Sequence, residues 1–319
     1  KSAEFVNLPN AIIGYYFDEP ILSLFKFHNL EDLNMTAKNG DTLTADVHFR
    51  LFYEIPPKSN DYRLMYNGSL FSMFYTYYRE LSYWGDNAVL LQNNPSVVLR
   101  NLSYHFKQGS CYGKRGEIID AHIFRKNSVF TVEDYESFAS NALLNSILGQ
   151  YSINLYTGQH KQTGNVNLLP MPDYATRQSD IERIIAEIID IKRWWFSLDE
   201  TNLEYHGFIG QIISGHHIEE SINQLQAKLT ADYNSYQNLV KQNDDLWMDL
   251  AGIEEDSDFR ATLNAYKSRR PYEELLSIDG ASSGNVINKQ VMAQEIVMEL
   301  VGMAFGRWNI RYAAKPSTI

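Results

Sequence analysis

Ile181, Ile184, Ile185, Ile188 and Ile189 recur at three- and four-residue steps between Gln178 and Trp195. Such a stripe can leave water only on one face of a helix, so the segment must be helical and must lie against something apolar. Ser179 and Glu182 have capping-box spacing, in which hydroxyl and carboxylate satisfy free N–H groups at a helix start. After Gly215 a second long pattern carries Ile218, Ile222, Leu225 and Leu229, continues through Tyr236 and Val240, and closes at Gly252, a rhythm that suits a helix-packing seam. A third runs from about Asn288 to Gly306 through Val297, Leu300, Val301 and Ala304. It follows the Gly/Ser-rich stretch Asp279 to Asn285, which reads as an exposed loop.

The front of the chain reads differently. Val47 to Ile55, Ala88 to Leu91, Ile118 to Phe124 and Ser128 to Val132 are short β-branched and aromatic runs between Gly, Asn and Pro, and predict short strands. Apolar helical stretches interrupt them: Asp18 to Phe27, with Ile21, Leu22 and Phe25 on one face, and Tyr135 to Tyr156, ending near Gly158. The expected fold is α+β, a mixed strand and helix unit over residues 1–192 followed by a mainly helical unit over 193–319. Trp194 and Trp195 are expected to pack where the two meet, and Tyr75, Tyr77, Tyr78, Tyr83 and Trp84 to serve mostly as core or interface.

Of the 319 residues, 44% are apolar, ample for two sizeable cores. No apolar run reaches the roughly 18 to 20 residues of a bilayer span, and Lys1 to Asn10 lacks a signal peptide's apolar stretch, so a soluble cytoplasmic protein is expected. The lone Cys111 closes no intrachain disulfide, in keeping with a reducing compartment. The net charge of −11 disfavours a blanket nucleic-acid binder, but it is unevenly spread: residues 1–180 carry −3 and 181–319 carry −8. Within the front part, Pro95 to Phe130 holds Arg100, Lys107, Lys114, Arg115, Arg125 and Lys126 against Glu117 and Asp120, a local +4.

Catalytic signatures are missing. There is no Gly-x-Gly-x-x-Gly after a strand, no phosphate loop ending in Gly-Lys-Ser/Thr and no Gly-x-Ser-x-Gly turn. His216 and His217 are neighbours, pointing about 100° apart on a helix, and cannot share a metal as an i, i+4 pair does. Asp244, Asp245 and Asp249, near Glu254, Glu255, Asp256 and Asp258, lack the glycine turn of a calcium loop and read as a solvated acidic face. Asn94-Pro95-Ser96-Val97 lacks the second proline and stacking aromatic of a target-adenine tetrad and reads as a turn.

Five stretches, in order, carry a family likeness. Leu8-Pro9 through Ile13-Gly14-Tyr15-Tyr16 to Phe25 is the first. Lys38-Asn39-Gly40 through Thr44-Ala45-Asp46 to Phe49-Arg50-Leu51-Phe52-Tyr53-Glu54 is the second, and Tyr83-Trp84-Gly85-Asp86-Asn87 the third. The fourth joins Ala142-Leu143-Leu144-Asn145-Ser146 to Gln162-Thr163-Gly164-Asn165-Val166-Asn167-Leu168-Leu169-Pro170-Met171-Pro172. The last is Glu299 through Gly302 with Phe305-Gly306-Arg307-Trp308-Asn309-Ile310-Arg311. On these the chain resembles the C-terminal half, beyond the methyltransferase core, of large bacterial DNA adenine methyltransferases: type IIG restriction-modification enzymes and the PglX methyltransferase of BREX phage defence. It departs from them at Tyr66-Asn67-Gly68-Ser69, where the family has Gly-Gly-Glu, and at Asn309, where it has Asp.

The resemblance implies a target-recognition domain with a helical spacer or clamp, the specificity half of an adenine-N6 methyltransferase. S-adenosylmethionine would belong to a parent or partner domain, because the family's cofactor and target-base motifs precede this region; no cofactor is expected in the chain itself. Expected partners are double-stranded DNA, a methyltransferase domain or subunit, and defence-complex subunits or a phage inhibitor, with no membrane. Candidate DNA contacts are Arg100, Lys107, Lys114, Arg115, Arg125 and Lys126, together with the polar loop of Lys161, Gln162, Thr163 and Asn165, since Arg, Lys, Asn and Gln supply phosphate and base-edge hydrogen bonds. Arg115 or Arg125 is favoured as a base reader, for the planar fork of the guanidinium. Two other classes stay open: a type I specificity subunit, and a protein-interaction module of a defence complex without DNA binding.

Overall fold

The computed structural model describes residues 19–55, 59–67, 71–76, 78–130, 133–135, 138–205, 217–271, 278–279, 286–287 and 289–306, with single positions at 6, 8, 9, 12 and 17. Most of the first resembling stretch, Tyr77, His216, the loop 280–285 and the end of the last stretch, from Arg307, lie outside the described residues.

The architecture is mixed α+β in the front part and mainly helical behind it. Helices α1 (Glu19–Leu24) and α2 (Ala45–His48) precede strand β1 (Phe49–Leu51). Strands β2 (Tyr62–Tyr66) and β3 (Glu80–Tyr83) lead to helix α3 (Gly85–Gln92), and β4 (Gly109–Tyr112), β5 (Ala121–Phe124), β6 (Ser128–Phe130) and β7 (Glu133–Tyr135) follow. One sheet has the order β1-β3-β2-β6, antiparallel except for β2 and β6, where Leu64 stands beside Ser128 and Tyr66 beside Phe130. The other, β5-β4-β7, is antiparallel throughout.

Two strand expectations are corrected. Ala88 to Leu91 belongs to α3, which opens with Asp86, Asn87 and Ala88 in left-handed backbone, so that Ala88 and Leu91 point inward. Val47 to Ile55 shrinks to the three residues of β1, because Phe52–Glu54 coils into a 3-10 turn, with Glu54 accepting from the Leu51 N–H at 2.8 Å.

The helix expected over Tyr135 to Tyr156 is instead β7 and two helices, α4 (Phe138–Asn145) and α5 (Ile147–Asn154). Ser146 breaks it: its backbone is extended and its hydroxyl caps α5 by accepting from Gly149 N–H. The short α6 (Thr163–Val166) follows, and the chain then returns to lie along residues 28–31, with Leu169 and Met171 buried.

Helix α7 (Gln178–Phe196) buries Ile181, Ile184, Ile185 and Ile188, as its spacing requires. The capping box is corrected: the helix begins before Ser179, and Glu182 instead accepts from the Gln178 amide at 2.8 Å. The apolar stripe packs on α8 (Ile218–Leu250), a 33-residue helix about 50 Å long that ends ahead of Gly252, whose φ is +72°. Trp195 stacks on Tyr233 at 6.3 Å and meets Tyr236 edge-on at 5.4 Å, and the Trp194 ring lies 3.9 Å from the Lys228 ammonium on the same helix. Helices α9 (Asp258–Tyr266) and α10 (Lys289–Ala304) complete it, with the pair β8 (Ile278–Asp279) and β9 (Val286–Ile287) between them.

The boundary expected at 192/193 falls within α7, and one buried cluster runs from Leu24 through Ile123, Leu143 and Ile188 to Trp247 and Ile296. Among the described residues no helix is long and apolar enough to cross a membrane.

Candidate nucleic-acid interface

Side-chain partners sort the basic island into different environments. Arg100 is tied down: its backbone N–H donates to Asp41 Oδ1 at 2.7 Å, and its guanidinium to Gly40 O at 3.1 Å and Thr42 Oγ1 at 2.6 Å. Lys107 stays exposed, its ammonium 5.3 Å from the Tyr104 ring centre, while Lys38 approaches the same ring at 5.7 Å. Phe106 N–H donates to Ser128 O and Asn127 N–H to Phe106 O, both at 3.0 Å, which holds Lys107 alongside exposed Lys126. Arg63 lies 5.8 Å from the Phe106 ring, so Lys38, Arg63 and Lys107 gather about one pair of aromatics, with Lys126 beside Asn127 in the segment paired to Phe106.

Lys114 and Arg115 form a second group on the loop after β4. Lys161 N–H donates to Lys114 O at 2.9 Å and Gly116 N–H to Gln159 O at 3.0 Å, with Arg115 bridged to His160 between them. This pairing lays exposed Lys114 and Arg115 beside exposed Gln162 and half-buried Thr163. Asn165, also half-buried, is engaged through its backbone, its carbonyl accepting from Tyr156 Oη at 3.2 Å.

Lys161 and Arg125 turn inward. The Lys161 ammonium is enclosed by Asn154 Oδ1, by Thr157 Oγ1 at 3.0 Å and by Gly158 O at 2.6 Å; burial lowers its pKa to about 8, against the opposing pull of Glu117. Arg125 pairs with Glu204, a carboxylate that also takes Arg193 at 3.1 Å and the Tyr75 hydroxyl, and it lies 5.2 Å from the Tyr78 ring. The exposed cations are therefore Lys107 with Lys126, and Lys114 with Arg115.

The acidic face on α8 is corrected in one place. Asp244 is 1% exposed and forked by Arg270 at 2.7 and 2.9 Å, because its other task is to accept from the Ile147 N–H at 2.7 Å, at the start of α5. Asp245 and Asp249 share Arg260. Among the described residues no group of three or more His, Cys, Asp or Glu side chains is placed to hold a metal ion.

Arg63 escapes sequence reasoning, because it reaches the site from a segment far from the island and charge alone marks it no differently from any surface cation. No family model matches the chain, and no curated protein matches it.

Proposed function

We propose that the chain reads double-stranded DNA as the specificity half of an adenine-N6 methyltransferase of the type IIG or PglX kind, in restriction-modification or phage defence. The observation that carries this is the local reversal of sign: in a chain of net charge −11, Lys107, Lys126, Lys114 and Arg115 stand exposed on loops pinned by paired backbone segments. Ammonium and guanidinium groups so placed suit phosphate contacts, and Arg115, on the loop paired with the segment that leads to Gln162, is equipped for base edges. Methyl transfer and S-adenosylmethionine are assigned to a parent or partner domain. The acidic helical part would then face away from the duplex.

Fluorescence anisotropy with duplex DNA across a salt series tests this. Each phosphate contact contributes about −0.9 to the slope of log K against log salt, so Lys107→Ala/Lys126→Ala and Lys114→Ala/Arg115→Ala should each flatten it by up to about 1.8. Unchanged slopes in both would remove the site.

A second reading, a protein-interaction module in a defence complex, draws on Val297, Met298, Leu300, Val301 and Phe305 of α10 and its end, all at least 42% exposed.

A further inference from the structure

A pocket of about 460 Å³ opens between α3 and the segment 99–106. Its apolar wall is made by Trp84 and Phe106, whose ring centres are 5.8 Å apart at 85°, with His105 5.3 Å from Trp84. Its polar groups are Arg63, Asn87, Gln92 and Asn127, a set rich in planar amide and guanidinium edges. The side-chain amides of Asn87 and Asn127 make no hydrogen bond among the described residues.

His105 backs the pocket from within: its side chain is fully buried behind the Trp84 wall, with Nε2 3.3 Å from Asp41 Oδ2. Backbone strain also concentrates here: Asn87, Ala88, Phe106 and Asn127, all lining residues, have φ of +56°, +61°, +65° and +65°. For Ala88 and Phe106 no local side-chain hydrogen bond offsets the left-handed conformation, and such strain persists where a site needs its geometry fixed.

We propose that this pocket binds the base of a nucleotide, packed against Trp84 and Phe106, its edge hydrogen-bonded by Asn87 and Asn127, and its phosphate on the Arg63 side. Lys107 and Lys126 flank the lining residues Phe106 and Asn127 in sequence and add positive charge there, whereas Asp86, next to Asn87, repels phosphate from the α3 side. Aromatic walls with a few convergent polar groups suit a planar heterocycle, and amides can pair with any base edge. The base comes either from a free nucleotide or from a DNA strand in which it has left the stack; the second source rests on the recognition reading above.

Calorimetry on the full chain with the 5′-mononucleotides, and with ribose 5-phosphate as the base-free control, is the direct test. Asn87→Gly and Asn127→Gly delete the amides while keeping a residue suited to positive φ, and Arg63→Gln removes the charge. Mononucleotides should bind at least tenfold tighter than ribose 5-phosphate, and each variant should lose about tenfold. A duplex carrying 2-aminopurine separates the sources: a fluorescence rise that the glycine variants abolish marks an extruded base, and mononucleotide binding that duplex does not compete marks a free one. If mononucleotides bind no better than ribose 5-phosphate and no variant alters a 2-aminopurine signal, the pocket proposal is overturned. Failure of duplex to bind while mononucleotides do would overturn the recognition reading alone.

Discussion

The side chain of Asn145 stands beside Ala121 as a neighbouring strand would, donating to its carbonyl at 2.6 Å and accepting from its N–H at 3.1 Å. Gln150 repeats the arrangement at Ile119, accepting at 2.8 Å and donating at 2.6 Å. Two amides on α4 and α5 thus satisfy backbone groups of residues 119–121, alongside the Phe74 N–H, which also donates to the Ala121 carbonyl at 2.7 Å. Asn145→Ala should cost roughly 1 to 3 kcal/mol in urea unfolding, since the buried Ala121 N–H loses its acceptor.

Asp244→Ala should be much worse. It strips the half-buried Arg270 of its carboxylate and α5 of an acceptor for Ile147 N–H, and breaking a largely buried pair from one side costs about 3 to 5 kcal/mol. Asp245→Ala, at a half-buried position on the same helix, should stay at about 1 kcal/mol or below. Equal losses in the two variants would contradict the role given to Asp244.

Gly149 admits no side chain: a Cβ there would lie 2.0 Å from the Leu143 carbonyl oxygen, which is backbone and cannot step aside. Gly149→Ala should lower stability by about 1 to 3 kcal/mol through overpacking. Ser146→Ala, which uncaps α5 and also removes the hydroxyl that donates to Leu143 O at 2.7 Å, should cost about 1 to 2 kcal/mol.

His122 is fully buried, its Nδ1 3.2 Å from Ser72 O, and burial, helped by the charge of Lys192, lowers its pKa from 6.5 to about 3. The unfolded chain therefore binds a proton that the folded one refuses. Stability from this group is complete above about pH 6.5 and is lost as pH falls toward 3, by an amount on the order of a few kcal/mol. Because carboxylates titrate in the same window, the difference between the parent and His122→Asn in thermal unfolding from pH 7 to pH 4 is the measurement. A parent no more acid-sensitive than the variant would refute the assignment.

Arg125 and Lys126 should part company despite being neighbours. Arg125→Ala abandons Glu204 and the Tyr78 ring and should be read mainly in unfolding, with a loss of about 1 to 3 kcal/mol. Lys126→Ala should leave stability unchanged and shift the DNA salt slope by about 0.9.

The helices were legible where a single period runs long enough to be unambiguous, as in the Ile181 to Ile188 stripe and the heptad-like run from Ile222 to Val240. The break at Ser146 was not: Leu143, Leu144, Ile147 and Leu148 keep helical spacing across it, and part of what holds the break is Asp244, 97 residues away, on the Ile147 N–H. Ala88 to Leu91 is too short and too uniformly apolar for any period to show. In the site, residue type was legible and direction was not. Arg125 reads as a surface cation until Glu204, far along the chain, is brought to it, and Lys161 reads as a loop donor although its ammonium closes on its own turn.

The grip of Asp244 and Arg270 on α5 also sets an order of events during synthesis. Ile147 leaves the ribosome 123 residues before Arg270, a delay of about 6 to 25 s at 5 to 20 residues per second. Until Asp244 is translated the α5 start lacks its distal acceptor, and from Ile188 until Leu250 the isoleucine stripe lacks the helix that covers it. The front part of this chain therefore completes its packing only when residues 218–270 have been made.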